Sequence, residues 1–136
     1  MRDMHYNDNY YAFPLLQTLF YNEDIKYLGG VKLGFIIETK EAEKSWNAFR
    51  FANACLTRGH DVKVFLMGEA VECEQIKDEK YTTPKDMKKY LDAEGVLLAC
   101  GTCIQSRKLE DETVCPISTM NDCVDLVDLA DKVVTF

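Results

Sequence analysis

The stretch VKLGFIIETKEAEKSWNAFRFANACLTRGHDVKVFLMG, residues 31–68, decides the fold of this chain. It begins and ends with β-branched and aromatic runs of strand length, VKLGFIIET and DVKVFLMG. Between these runs, apolar residues recur at three- and four-residue steps, as on one face of a helix: Ala42, Trp46, Phe49, Ala52 and Leu56. Thr39 is the predicted N-cap of this helix, and Gly59 follows its predicted end. The stretch therefore predicts two parallel strands joined by a crossover helix.

The next segment continues this alternation of helices and strands. A short helix and a polar loop are predicted over residues 70–82. The run TPKDMKKYLDAEG then predicts a helix in which Thr83 is the cap, Pro84 takes the first helical position and Asp86 completes a capping box. VLLAC, residues 96–100, is the predicted third strand.

The last part of the chain adds two strands and two helices. GTCIQSRKL, residues 101–109, has the length of two helical turns, and VCPI, residues 114–117, is a short predicted strand. Thr119 and Asp122 stand in capping-box spacing before another helix, and KVVTF is the predicted last strand. The order predicts a single α/β domain, a three-layer sandwich whose five-stranded, mostly parallel sheet carries helices on both faces.

Composition limits the classes of protein that fit. The chain has 136 residues, 47% of them hydrophobic, which suits one compact domain with a core. Its net charge of −7 argues against nucleic acid as the main partner, because phosphate binding needs clustered Lys and Arg. No apolar run approaches the length of a membrane span, and the start lacks a signal peptide's apolar region. We therefore expect a cytoplasmic protein with neither a nucleic-acid nor a membrane partner.

Residues 1–30 differ from the rest of the chain. They hold five of the seven tyrosines and end in LGG. We interpret them as an N-terminal extension that packs on the surface or on a neighbouring subunit, and residues 31–136 as the α/β domain. Small parallel-sheet domains leave helix faces and sheet edges to cover, so we expect a closed homo-oligomer.

The candidate functional residues lie in GVLLACGTCIQSRKL, residues 95–109, where a predicted strand ends in two thiols. In parallel sheets, functional sites form outside the carboxyl ends of the strands, which is where Cys100 and Cys103 fall. Core filling, metal binding, a redox disulfide and a sulfur-carrying nucleophile would each use such a pair. In a reducing compartment, six cysteines are better read as thiols, ligands or catalytic groups than as a disulfide framework.

Metal and thioredoxin-like chemistry fit this pair less well than sulfur transfer. Structural zinc needs a second close-spaced pair, whereas Cys115 and Cys123 are separated by seven residues. A thioredoxin-like site would follow the first strand and face a proline loop, which the sequence does not supply, although a reversible Cys100–Cys103 disulfide stays open.

A persulfide carrier needs a thiolate at a turn, stabilised by N–H groups or a cation. Gly101 allows close backbone approach, and the helix predicted to begin near Thr102 supplies unpaired N–H groups. Arg107 supplies a positive charge about two turns further on. On this reading Cys100 is the first residue of the strand that is free to turn outward.

The other four cysteines carry weaker signals. Cys55, Cys115 and Cys123 fall on core-facing or packed positions, as free buried cysteines often do. Cys73 follows the second strand and is interpreted either as structural or as an edge of the site.

The chain resembles the DsrE/DsrF-like (TusD-like) sulfur relay family over residues 31–136. The resemblance rests on the strand leading into the first long helix, on VFLMGEAV, on GVLLACGTCIQSRKL and on the tail ISTMNDCVDLVDLADKVVTF. It implies a compact domain that assembles as a homotrimer or homohexamer and transfers sulfur through one cysteine persulfide. That cysteine matches Cys100, and Cys103 is an extra thiol that some members carry. Lys108 stands where glycine is common in related sequences.

We therefore expect sulfur transfer between donor and acceptor proteins, with no cofactor and no resident metal. Cys100 is the favoured nucleophile, Cys103 is the resolving thiol or alternate carrier, and Gly101, Thr102 and Arg107 support the site. One alternative is a non-catalytic oligomeric binding module whose CxxC senses redox state or binds a soft metal such as Cu(I). Another is a purely structural subunit of a sulfur relay complex.

Overall fold

The computed structural model describes residues 30–136. The predicted N-terminal extension, residues 1–30, lies outside the described residues apart from Gly30. The strands of the described part are β1 (Lys32–Ile37), β2 (Asp61–Leu66), β3 (Val96–Cys100), β4 (Ile117–Ser118) and β5 (Lys132–Thr135). Its α-helices are α1 (Ala42–Thr57), α2 (Thr83–Asp92), α3 (Gly101–Ser106) and α4 (Met120–Leu129). A 3-10 helix, Gly68–Gln75, follows β2.

The five strands form one sheet in the order β4-β3-β2-β1-β5. Every pair of neighbouring strands is parallel, so the sheet predicted as mostly parallel is wholly so. Leu33 pairs with Val62, and Lys63 pairs with Val96, which aligns the carboxyl ends of β1, β2 and β3 at one edge. The segments that follow these three strands therefore meet at that edge.

Helices cover both faces of the sheet, as the predicted three-layer sandwich requires. Successive residues of a strand point to opposite faces. Val64 of β2 thus lies in the larger buried cluster, with residues of α1, α2 and the 3-10 helix. Phe65 lies in the smaller cluster, with Cys123 and Leu126 of α4. Within residues 30–136, the helix that covers the second face is α4, which has ten residues.

The first helix begins differently from the prediction. Thr39 is not the N-cap of α1, because Glu41 takes that position. The Glu41 carboxylate accepts the backbone N–H groups of Glu43 and Lys44, both at 3.1 Å. The Thr39 hydroxyl oxygen instead accepts the N–H of Glu41 at 3.0 Å, which closes the turn before the helix.

The predicted cap of the second helix is also wrong. Thr82 precedes α2 and makes no side-chain cap hydrogen bond, while Thr83 is its first residue and is buried. The Thr83 hydroxyl donates to the carbonyl of Ala42 at 3.2 Å. This contact ties the start of α2 to the start of α1, a tertiary role that a local capping pattern does not reveal.

Near the end of the chain, one prediction is confirmed and one is corrected. The capping box is present, since the Thr119 N–H donates to Asp122 Oδ2 at 2.6 Å and the Asp122 N–H donates to the Thr119 hydroxyl. The predicted strand over residues 114–117 begins only at Ile117. Pro116 lacks an N–H group and contributes only its carbonyl, which accepts the Ala99 N–H at 3.1 Å.

Candidate thiol site at the carboxyl end of the sheet

The CxxC motif lies where β3 passes directly into α3. Cys100 is the last residue of β3 and the N-cap of α3, so Cys103 falls in the first turn of the helix. Gly101 is required by a close approach of β4. A Cβ atom at this position would stand 2.9 Å from Ile117 Cγ2 and 3.2 Å from the Ser118 carbonyl oxygen. The structure therefore gives a reason for glycine at position 101: β4 packs too closely for a side chain.

The two thiols differ in exposure. Cys100 is only 4% exposed and lies in the smaller buried cluster with Phe65, Cys123 and Leu126. Cys103 is partly exposed and packs against that cluster, beside Cys100. The expectation that Cys100 turns outward is therefore wrong for the single chain, because α4 covers this face of the sheet.

A backbone N–H group contacts the sulfur of Cys103. The Gly68 N–H donates to Cys103 Sγ at 3.2 Å. Gly68 is the first residue of the 3-10 helix and has φ +56°, a conformation that favours glycine. Helix N-termini present unpaired N–H groups, so the sulfur occupies a position suited to negative charge. Sequence reasoning missed Gly68, although a glycine at the end of the predicted second strand was a usable signal.

Opposing effects act on the Cys103 thiol. Burial is the main cause that raises its pKa above the usual value, and the neighbouring Cys100 thiol adds to the rise. The Gly68 N–H group and the positive charge of Arg107 act in the opposite direction and lower the pKa. The net direction is upward, so the surroundings of Cys103 in the single chain favour its protonated form.

Arg107 contacts the Cys103 side of the site. Its Nε donates to Glu72 Oε2 at 3.2 Å, and its Nη1 donates to the Cys103 carbonyl oxygen, also at 3.2 Å. Glu72 Oε2 also accepts from Lys40 Nζ at 3.1 Å. Hydrogen bonds from Lys40 and Arg107 hold the pKa of Glu72 below its usual value. Sequence reasoning missed Glu72 and Lys40, because ion pairs between distant segments leave no local pattern.

The remaining candidate residues divide between surface and core. Thr102 is exposed in the first turn of α3. Cys73 is fully buried, its thiol donates to the Thr39 carbonyl at 3.6 Å, and burial raises its pKa to about 11. It therefore belongs to the core and not to an exposed edge of the site. Cys55, Cys115 and Cys123 are buried as predicted.

Within residues 30–136, no group of three or more His, Cys, Asp or Glu side chains is arranged to hold a metal ion. The helices of the same region are all too short or too polar to cross a membrane. The groups that the site itself presents are two neighbouring cysteines, the N-terminus of the 3-10 helix and a salt-bridged arginine.

The chain also matches the model of a known protein family. The model of the DsrE/DsrF-like family matches residues 31–136. The chain belongs to the DsrE/DsrF-like family. Membership associates this DsrE-like chain with sulfur relay between partner proteins in general terms.

Two archaeal relatives have similar sequences. The uncharacterized protein MJ0989 of Methanocaldococcus jannaschii is 31% identical over 100 residues, which cover 69% of this chain and 88% of the relative. The uncharacterized protein MK0008 of Methanopyrus kandleri is 31% identical over 104 residues, which cover 69% of this chain and 83% of the relative.

A solved structure shares the fold. The conserved protein of unknown function BT1422 from Bacteroides thetaiotaomicron superposes with a TM-score of 0.65 at 14% sequence identity. The superposition covers 77% of this chain and 94% of the other. At this identity the likeness supports the DsrE-like α/β architecture alone.

Proposed function

We propose that this protein carries sulfane sulfur as a cysteine persulfide on its Cys100–Cys103 pair. One observation carries the proposal: Cys103 is partly exposed, its Sγ accepts the Gly68 N–H at 3.2 Å, and it packs beside Cys100. A partly exposed cysteine beside an amide N–H group and a second thiol is suited to accept and release sulfur. Membership of the DsrE/DsrF-like family supports the same class of chemistry.

The two thiols take different roles in this proposal. Cys103 receives the sulfur, because it is the thiol of the pair that a donor can reach in the single chain. Cys100, buried behind it, is the resolving thiol. This order reverses the one that the sequence favoured, and the difference in exposure is what supports the reversal. Arg107 supplies positive charge beside Cys103.

Sulfur transfer then proceeds by two displacements. The Cys103 thiolate attacks the outer sulfur of a donor persulfide, the donor's S–S bond breaks, and the donor leaves as a thiolate. Cys103 now holds the outer sulfur as a persulfide. An acceptor thiolate attacks that outer sulfur in turn, and Cys103 leaves as a thiolate ready for another cycle.

Cys100 opens a second route for release. Its thiolate attacks the inner sulfur of the Cys103 persulfide, expels hydrosulfide and leaves a Cys100–Cys103 disulfide. A cellular dithiol must then reduce that disulfide by exchange before the pair carries sulfur again. The packing of Cys103 beside Cys100 favours this route whenever no acceptor is docked.

The proposal also covers the partners of the protein and the division of its chain. Sulfur donor and acceptor proteins are the partners. The α/β domain spans residues 31–136, and residues 1–30 are an extension of it. A closed homotrimer or homohexamer is supported by apolar side chains left exposed on β4 and α4, among them Ile117, Val124 and Leu129. Six free thiols in the chain fit the reducing cytoplasm.

A redox sensor is the second candidate function. The same pair of neighbouring cysteines favours it, since adjacent thiols close readily into a disulfide under oxidation. A sensor would cycle between dithiol and disulfide without retaining sulfur from a donor. A purely structural subunit would do neither.

Intact mass spectrometry after incubation with a persulfide donor separates these functions. A carrier gains about 32 Da per retained sulfur atom and loses that mass when an acceptor thiol is added. A sensor treated with a mild thiol oxidant loses about 2 Da, the two hydrogens of one new disulfide, and gains nothing from the donor. A protein pre-alkylated at its thiols is the control and should gain no sulfur. Absence of the gain from unmodified protein would contradict the carrier proposal.

A further inference from the structure

The Glu72 carboxylate joins two cations beside the thiol pair. Its Oε2 atom accepts from Arg107 Nε at 3.2 Å and from Lys40 Nζ at 3.1 Å. The Glu72 and Arg107 side chains retain 25% and 30% of their accessible surface, so neither is fully solvated. Ion pairs of this kind hold a geometry better than fully exposed ones do.

The same carboxylate links the two elements that surround the sulfur. Glu72 lies on the 3-10 helix whose first N–H, that of Gly68, donates to Cys103 Sγ. Arg107 follows α3, the helix that carries Cys103. The other Arg107 contacts, to the Cys103 carbonyl and the Ser106 hydroxyl, are local to that segment. The Glu72 contact is therefore the one that fixes the guanidinium across the site.

We propose that Glu72 is a positioning residue that holds the Arg107 guanidinium beside Cys103, so that Arg107 stabilises the thiolate and the persulfide formed there. This inference rests on the proposed carrier role of Cys103. Lys40 is the second cation that is bonded to the Glu72 carboxylate. Two cations and one carboxylate leave one net positive charge, which is available to an anionic sulfur.

The direction in which removal of Glu72 shifts the pKa of Cys103 distinguishes a positioning role from a direct electrostatic effect. As a bare negative charge, Glu72 would disfavour the Cys103 thiolate, and its removal would lower the pKa of Cys103. As a positioning residue it acts through Arg107, and its removal would free the guanidinium and raise that pKa. The groups whose charges surround Cys103 are Cys100 and Arg107, with Glu72 and Lys40 behind Arg107.

The test measures the rate of Cys103 alkylation against pH, resolved by peptide mass spectrometry. The background is Cys100→Ser, which removes the coupled titration of the second thiol. We expect Glu72→Ala and Arg107→Ala each to raise the apparent pKa of Cys103 by about half a pH unit, a modest effect for a partly exposed charge. The double variant should show no further rise than Arg107→Ala alone.

Two further variants make the result specific. Glu72→Gln keeps an acceptor for Arg107 Nε and should bring the pKa of Cys103 back to the background value or below it. Glu69→Ala, an exposed change on the same 3-10 helix, should leave it unchanged. A lowered or unchanged pKa in Glu72→Ala, or no rescue by Gln, would overturn the inference. The assay uses no sulfur donor, so a failure of persulfide loading and a failure of Glu72 positioning are read separately.

Discussion

Cys100 and Cys103 are three residues apart, yet their sulfur atoms have different surroundings. Cys100 ends a buried strand under α4, whereas Cys103 is in the first turn of α3 and receives the Gly68 N–H. In the proposed carrier role, a donor protein at the carboxyl edge of the sheet would therefore meet Cys103 first, and the buried Cys100 would be the resolving thiol.

Lys108 is held in a conformation that suits glycine. Its φ is +54°, where a Cβ atom is strained. We predict that Lys108→Gly raises the free energy of unfolding by about 0.5 kcal/mol, because relief of the strain exceeds the entropy that glycine adds to the unfolded chain. Chemical denaturation followed by circular dichroism measures this change.

Lys108→Ala is the matched control for that prediction. It removes the same side chain but keeps the Cβ atom, so the strain remains and no comparable gain in stability should follow. Equal stabilisation by Ala and Gly would show that the lysine side chain, and not the backbone conformation, is unfavourable.

At the scale of residues, the sequence indicated which cysteines form the site better than it indicated their burial and their contacts. The spacing of Cys100 and Cys103 after an apolar run was sufficient to predict a thiol pair at a strand end. The burial of Cys100 was not predictable, since it depends on where α4 crosses the sheet. Glu72 was missed for the same reason: its bond to Arg107 joins positions 35 residues apart.

At the scale of elements, the capping box of α4 makes stability depend on pH. The backbone N–H and hydroxyl of Thr119 donate to the Asp122 carboxylate and lower its pKa in the folded chain. A depressed pKa contributes stability above the unfolded value of about 3.9, which is lost as pH falls through the folded value.

We predict that Asp122→Asn removes this contribution to the pH dependence. Asparagine does not titrate, so the stability of the variant should fall less than that of the wild type between about pH 5 and pH 3. Urea denaturation at a series of pH values measures the difference. Asp125→Asn, an exposed change on the same helix, should follow the wild-type curve, and a wild-type slope in Asp122→Asn would refute the prediction.

The turn between β3 and α3 depends on close contact with β4. We predict that Gly101→Ala lowers the free energy of unfolding by about 1 kcal/mol, because the new Cβ atom must displace Ile117 and the Ser118 carbonyl. Thr102→Ala, its exposed neighbour, should change stability by less than about 0.5 kcal/mol. Equal free energies of unfolding for the two variants would contradict this prediction, because they would show that β4 accommodates the new Cβ atom without loss of stability.

Element types were predictable because apolar periodicity differs between strands and helices. Both faces of β2 and the inner faces of α1 and α2 are buried, so their patterns were strong. Boundaries were less predictable. Thr83 has the chemistry of a cap but bonds to Ala42 in another helix, and Glu41 caps α1 in place of Thr39.

At the scale of the whole molecule, the helices of residues 30–136 cover the two faces of the sheet unequally. Among these described residues, α4 is the helix on the second face. Ile117 of β4 and Val124 and Val127 of α4 remain 55%, 51% and 45% exposed. We predict a homotrimer or homohexamer in which such side chains are buried. Sedimentation at micromolar concentration should give three or six times the chain mass of 15.6 kDa, and a monomer alone would contradict the prediction.

The most direct test of the central claim is site-resolved persulfide loading of Cys103→Ser and Cys100→Ser. Each variant is incubated with a persulfide donor, and peptide mass spectrometry locates the added sulfur of about 32 Da. Circular dichroism confirms that both are folded, and Cys123→Ser, which removes the third thiol of the cluster, is the control. We predict that Cys103→Ser loses loading, while Cys100→Ser retains it on Cys103 for longer because no resolving thiol remains. Undiminished loading of folded Cys103→Ser would contradict the account.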